Sequence, residues 1–217
     1  MSEFNFAHKL YILSEMKQKS MFKDKKLIVF DLDGTIVRLK AKWHALKDVL
    51  SQRYVERNEE TCEFSSISEC LSNIVKKGDE QELQENFKII RQYELENITE
   101  TEIIPEVVGF IKSKEKFGIS NKVKIAVLSL NTRQTIRESL EIAGISDNVE
   151  KFIGREDVRG WKPEPEGLIK LMKHFSVSSD NVIFFGDMDK DLQAGEAADV
   201  DSYCVDNLIE YVRNYKP

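Results

Sequence analysis

One short segment constrains the fold of this chain more than any other, an apolar run that ends in two carboxylates. Leu27–Phe30 is apolar and includes two β-branched residues, which predicts a buried strand. Asp31 and Asp33 follow it directly, and Gly34-Thr35 complete the segment. Two like charges at ~4 Å cost about 4 kcal/mol at an effective dielectric of ~20. We therefore expect a cation where the carboxylates meet, beyond the carboxyl end of the strand.

After residue 101, apolar strand patterns alternate with helical patterns. The predicted strands cover 124–129, 151–153, 181–186 and 202–205, and the predicted helices cover 105–118, 132–143, 166–175, 192–198 and 208–215. Such alternation requires parallel strand pairing through crossover connections, so the predicted fold class is α/β with a doubly wound, Rossmann-like parallel sheet. Ligands bind these sheets beyond the carboxyl ends of the strands.

Residues 39–101 interrupt this pattern. They are highly charged and contain no convincing strand, but apolar residues recur at helical spacing within 43–50, 66–75 and 82–93. We therefore expect a small all-helical domain inserted after the first strand, with the core formed by 21–38 and 102–217. Residues 1–20 also show helical spacing, which predicts an N-terminal helical extension that either packs on the body or binds a partner.

Composition excludes several classes of protein. The net charge of −6, without a Lys- or Arg-rich face, argues against a nucleic-acid-binding surface. No apolar run approaches the ~18 residues that a membrane span needs, and the amino terminus lacks the apolar block of a secretory signal. Three cysteines without Cys-x-x-Cys spacing indicate reduced thiols, so a cytoplasmic location is expected. The sequence leaves monomer and homodimer open.

Further polar residues follow the later strands and loops of the predicted sheet. They are Ser129 and Asn131 after the second core strand, Lys162 before Pro163, and Asp187 and Asp191 after Gly186. Because the carboxyl ends of parallel strands share one edge, we expect these groups to lie close together. Hard cations choose carboxylate oxygens, so Mg²⁺ together with the lysine would offset most of the negative charge.

This set of motifs resembles the haloacid dehalogenase-like superfamily of phosphotransferases. The matches are Asp31-Leu-Asp33-Gly-Thr35 for the first motif, Ser129 for the second, Lys162 for the third, and Gly186-Asp187 with Asp191 for the fourth. The helical insert resembles the cap of the phosphoglycolate phosphatase and β-phosphoglucomutase branch. One departure is Met188, which replaces a serine that this branch often has.

The resemblance implies a role for each matching residue. Asp31 would be the nucleophile, Asp33 the general acid and base, and Lys162 the cation that offsets the charge on Asp31 and the phosphoryl group. Mg²⁺ would be held by Asp31, the main-chain carbonyl of Asp33 and Asp187, with Asp191 behind these ligands or bound to the ion through water. Phosphate would be bound by Gly34, Thr35, Ser129, Leu130, Asn131 and Lys162.

Three functions are compatible with these motifs. The first is a magnesium-dependent phosphatase acting on a small phosphorylated metabolite through an aspartyl-phosphate. The second is a phosphomutase of the β-phosphoglucomutase type, which uses the same intermediate. The third is a phospho-receiver signalling module, although receivers place the accepting aspartate on a later strand and lack a helical insert.

Overall fold

The computed structural model describes residues 21–59 and 64–216; the predicted extension at 1–20 lies outside them. The strands are β1 (Leu27–Phe30), β2 (Val37–Arg38), β3 (Glu102–Ile103), β4 (Lys124–Leu128), β5 (Lys151–Ile153), β6 (Val182–Gly186) and β7 (Asp201–Cys204). The α-helices are α1 (Trp43–Asn58), α2 (Ile67–Lys77), α3 (Glu80–Leu95), α4 (Pro105–Lys112), α5 (Arg133–Ala143), α6 (Glu166–Phe175), α7 (Asp189–Ala197) and α8 (Val205–Asn214). None of the helices in the described part of the chain is long and apolar enough to span a membrane.

The main sheet has five parallel strands in the order β5-β4-β1-β6-β7. Strand β1 lies at its centre, where Leu27 pairs with Lys124 on one side and with Val182 on the other. All four residues of β1 are fully buried, as the apolar run predicted. The predicted α/β fold with a parallel sheet is confirmed.

Successive side chains of a strand point to opposite faces of the sheet, so apolar strands make both faces apolar. Helices cover both of these faces. Val29 and Phe184 belong to one apolar cluster, which includes buried residues of α6 and α7. Phe30 and Phe185 belong to the other cluster, with α4, α5 and α8. The rings of Phe30 and Phe185 stack, with their centroids 5.7 Å apart. This two-sided covering is the doubly wound arrangement, and it leaves the strand ends as the accessible edge.

Helices α1, α2 and α3 form the region that the sequence predicts as a cap. Gly78 ends α2 in the left-handed conformation (φ 72°), and the Asp79 side chain caps α3 by accepting a 3.0 Å hydrogen bond from the Glu82 amide. The apolar side of these helices is continuous with one face of the sheet, since Phe87 packs edge-on against Trp161 at 6.4 Å. The helical region therefore shares a core with the sheet.

A two-stranded antiparallel ladder lies at the two ends of the helical region. Strand β2 pairs with β3, with Val37 opposite Ile103 and Arg38 opposite Glu102. The chain enters and leaves the helices α1–α3 beside this ladder. The domain boundaries at 38/39 and 101/102 stay a prediction.

Three predicted helices of the core differ from the observed ones by three or more residues at one end. Helix α8 begins at Val205, three residues before its predicted start. Helix α4 ends at Lys112, because Ser113 leaves the helical region (φ −145°), and a separate 3-10 turn covers Lys114–Phe117. Helix α7 begins at Asp189, three residues before the predicted start. Its first turn is stabilised by Asp191, which accepts a 3.0 Å hydrogen bond from the Met188 amide.

Candidate active site

Three carboxylates converge at the carboxyl edge of the sheet. Asp31 follows β1, Asp187 follows the neighbouring strand β6, and Asp191 lies in the first turn of α7. One oxygen from each lies within 4.8 Å of the other two. Since Mg²⁺ and Ca²⁺ bind oxygens at about 2.0–2.6 Å, one such ion can contact oxygens that are this far apart. The three residues fit the magnesium ion that the sequence predicts.

Lys162 connects two of these carboxylates. Its Nζ donates a 2.8 Å hydrogen bond to Asp31 Oδ1 and lies 2.5 Å from Asp191 Oδ1. All three side chains are buried. Burial raises the pKa of Asp31, while the charge on Lys162 opposes that rise. Burial also disfavours the charge on Lys162, but Asp31 and Asp191 outweigh it and raise the lysine pKa.

Asp33 has the properties of a proton-transfer group. Its Oδ1 accepts a 2.8 Å hydrogen bond from the Leu39 amide, which fixes the carboxyl beside the cavity. Burial raises the pKa of Asp33 to about 6, against the opposing effect of that amide. A pKa near the working pH suits a group that both donates and accepts a proton.

Gly34 allows the close approach of Asp187. Its φ is +83°, a conformation that L side chains rarely adopt, and an added Cβ would overlap the Asp187 carboxylate. The glycine of the first motif is therefore required for the position of a predicted metal ligand.

The loop after β4 forms a hydrogen-bonded turn. Ser129 Oγ donates to Asn131 Oδ1 at 2.7 Å and accepts from the Asn131 amide at 3.1 Å. The Asn131 side-chain amide in turn donates to Glu94 Oε1 at 2.9 Å. These bonds hold Ser129 at the cavity wall and use both ends of the Asn131 side chain.

Glu94, at the end of α3, is a residue that the sequence analysis missed. It is 1% exposed. Besides the bond from Asn131, its Oε2 accepts from the Thr132 amide, the Thr132 hydroxyl and the Thr135 hydroxyl at 2.7–2.9 Å. A carboxylate from the helical region thus satisfies four donors, three in the loop that carries Ser129 and one in the first turn of α5.

These elements enclose a cavity of about 260 Å³. The predicted site residues that line it are Asp31, Asp33, Ser129, Leu130, Asn131 and Lys162. The lining residues that were not predicted are Trp43, Ser66, Ile67, Ser68, Arg155, Met188 and Lys190. Gly34 and Thr35 do not line it, and Thr35 Oγ1 is buried without a hydrogen-bond partner in the described chain. Their assignment to phosphate binding stays a prediction.

The match to known sequences covers most of the chain. A family model described as haloacid dehalogenase-like hydrolase matches residues 28–205, a range that includes all four motifs. The chain belongs to the haloacid dehalogenase-like hydrolase family. The resemblance that the motifs indicated is confirmed.

Curated relatives match over nearly their whole length. The pyrophosphatase PpaX of Halalkalibacterium halodurans is 23% identical over 198 residues, which are 88% of this chain and 89% of that protein. The pyrophosphatase PpaX of Bacillus mycoides is 24% identical over 202 residues, with the same shares of each chain. Each match thus spans almost nine tenths of both chains.

Solved structures show the same fold. A haloacid dehalogenase-like hydrolase from Bacteroides fragilis superposes with a TM-score of 0.56 at 21% identity, covering 82% of this chain and 86% of that one. A predicted phosphoglycolate phosphatase from Haemophilus somnus superposes with a TM-score of 0.57 at 19% identity, covering 84% and 88%. Each likeness covers more than four fifths of both chains, which supports the fold.

Proposed function

We propose that this hydrolase is a magnesium-dependent phosphatase, which cleaves a small phosphorylated metabolite through a phosphoryl group carried on Asp31. The observation that carries the proposal is the position of Asp31. Its carboxylate lines the cavity beside Asp33, is bonded to Lys162, and lies next to Asp187 and Asp191. The names of the relatives, pyrophosphatase and phosphoglycolate phosphatase, support phosphoryl transfer.

The first half of the reaction forms the aspartyl-phosphate. Lys162 holds Asp31 Oδ1, so Oδ2 is the oxygen that attacks phosphorus. The bond between phosphorus and the leaving oxygen breaks, and Asp33 donates its proton to that oxygen. Ser129 would exchange its bond to Asn131 for one to a phosphoryl oxygen. A pKa of about 6 for Asp33 places the transferable proton within reach of neutral conditions.

The second half restores the enzyme. Asp33, now ionised, accepts a proton from water, whose oxygen attacks the phosphorus of the aspartyl-phosphate. The bond between phosphorus and Asp31 Oδ2 breaks, and inorganic phosphate leaves. Lys162 offsets the negative charge on Asp31 in both halves.

The predicted metal fits the same arrangement. Asp31, Asp187 and Asp191 would hold Mg²⁺, which when bound supplies positive charge at the phosphoryl oxygens. The main-chain carbonyl of Asp33 stays a predicted fourth ligand.

Hydrolysis of p-nitrophenyl phosphate with and without Mg²⁺ tests the proposal. We expect phosphate release that requires Mg²⁺, is abolished by excess chelator, and is lost in Asp31→Asn. The control is Asp147→Asn, an exposed aspartate on the 3-10 turn after α5, which should behave as wild type. Turnover at the wild-type rate in Asp31→Asn would show that Asp31 is not the nucleophile.

A further inference from the structure

A buried arginine that has no counterion among the described residues lies in the wall of the active-site cavity. Arg155 belongs to the 3-10 turn Arg155–Asp157 that follows β5, and its amide donates to the Asn131 carbonyl at 2.8 Å. The residue is only 4% exposed, yet its Nε and Nη1 have no hydrogen-bond partner among the residues that the structure describes. A buried guanidinium normally has a carboxylate or phosphate partner, so this one is available for a ligand.

The nearest carboxylates are already committed to other donors. Glu94 accepts four hydrogen bonds from the loop after β4 and the first turn of α5. Glu156 accepts from Arg91 Nη2 at 3.3 Å and from the Arg133 amide at 2.9 Å. Burial lowers the pKa of Arg155 to about 10, with Glu94 and Glu156 opposing the effect, so the guanidinium stays charged at neutral pH.

Two more features make this part of the cavity electropositive. Lys190 is half-buried in the lining and has no ion pair with a carboxylate in the described chain, unlike Lys162, whose charge is shared by Asp31 and Asp191. Ser66 and Ser68, at the start of the 11-residue helix α2, place its N-terminus at the same cavity. A helix N-terminus favours an anion. Among the described residues, neither Arg155 nor Lys190 forms an ion pair with a catalytic carboxylate, so both charges are available to an anionic ligand.

We propose that Arg155, assisted by Lys190, binds a second anionic group on the leaving part of the substrate. The substrate class is then a small bis-anionic phosphate compound, whose tail ends in a carboxylate or a second phosphate. This inference rests on the proposed function, because it takes the cleaved phosphoryl group to lie at Asp31. The cavity, about 260 Å³, is below the ~300–1,000 Å³ typical of sites for drug-sized ligands, which favours a compact tail.

Calorimetric binding of three phosphonates at saturating Mg²⁺ tests the inference. Phosphonoacetate has a carboxylate tail, methylenediphosphonate has a second phosphonate, and 2-hydroxyethylphosphonate has an uncharged tail. We expect wild type to bind at least one charged-tail probe about 10- to 150-fold more tightly than the uncharged one, from charge-assisted hydrogen bonds. The tighter charged probe identifies carboxylate or phosphate as the preferred tail.

The variants assign that preference to the arginine. Arg155→Met should reduce the preference for the charged-tail probe to less than threefold. Arg155→Lys should keep part of this preference, because the positive charge remains although the planar guanidinium is lost. The matched control is Arg159→Met, whose exposed side chain pairs with Glu80 at 3.0 Å and does not line the cavity. It should keep the full preference.

If wild type prefers the charged-tail probe by less than tenfold, the inference is wrong. This measurement does not depend on whether a variant folds. A preference that stays above threefold in Arg155→Met overturns the inference as well. The p-nitrophenyl phosphate assay separates the two proposals. Turnover without a charged-tail preference refutes only the arginine subsite, and a preference without turnover refutes only the phosphatase.

Discussion

Glu94 offers the sharpest test of how the helical region stabilises the site. Replacing Glu94 by alanine removes the acceptor of four hydrogen bonds in a place that water does not reach. The hydroxyls of Thr132 and Thr135 lie 2.8 Å apart, so one can donate to the other instead, and the remaining one can donate to a main-chain carbonyl one turn earlier, as helical threonines do. The Thr132 amide and the Asn131 side-chain amide lose their partner.

The magnitude follows from those two donors. Each buried donor without a partner costs about 1–3 kcal/mol, so Glu94→Ala should lower the free energy of unfolding by about 2–6 kcal/mol. Typical domains have only about 5–15 kcal/mol in total, so the loss is large. Urea unfolding of the metal-free protein, followed by circular dichroism, measures it directly.

Glu96→Ala is the matched control. Glu96 lies two residues further along the chain, and its half-exposed carboxylate pairs with exposed Lys42 at 2.9 Å. Such surface pairs contribute about 0–1 kcal/mol, so this variant should stay close to wild type. If the two variants unfold within 1 kcal/mol of each other, the hydrogen bonds to Glu94 do not stabilise the fold as argued.

Three further predictions concern glycines and a buried tyrosine. Gly34→Ala should weaken Mg²⁺ binding at least tenfold in a calorimetric titration, because its Cβ would displace the Asp187 carboxylate; an unchanged affinity would remove Asp187 as a ligand. Gly167→Ala should lower the free energy of unfolding in urea by about 1–3 kcal/mol, since its Cβ would overlap the Leu128 side chain. Gly109→Ala, whose Cβ would meet no other atom, should raise it by up to about 1 kcal/mol, and equal effects of the two variants would contradict this prediction. Burial raises the pKa of Tyr211 to about 12. The unfolded chain therefore loses this proton first, near pH 10, and unfolding becomes easier between pH 10 and 12. Tyr211→Phe should lessen that alkaline loss of stability, and an identical pH profile would disprove the assignment.

Much of the site was predictable because it depends on local patterns and one topological rule. The apolar run before Asp31 and the strand before Asp187 both read as buried strands, and both are fully buried. Parallel strands present their carboxyl ends at one edge of the sheet. This rule was enough to predict that Asp31, Asp187 and Lys162 lie close together.

The missed residues depend on how elements pack, which periodicity does not report. Glu94 lies in a highly charged helix, where a glutamate is expected to face water, and its burial results from docking against the loop after β4. Arg155 did have a signal. It follows β5 after a single glycine, at the same edge of the sheet as Asp31, so the rule that selected the carboxylates applies to it also.

The core that the helical region shares with the sheet affects how this enzyme can be engineered. Exchanging residues 43–95 for the equivalent segment of another family member is an obvious way to change specificity. In this chain the exchange would expose Trp161, which packs against Phe87. It would also remove Glu94, which accepts hydrogen bonds from the loop that carries Ser129. A transplanted helical region must therefore bring its own complementary surface, or the recipient sheet must be redesigned together with it.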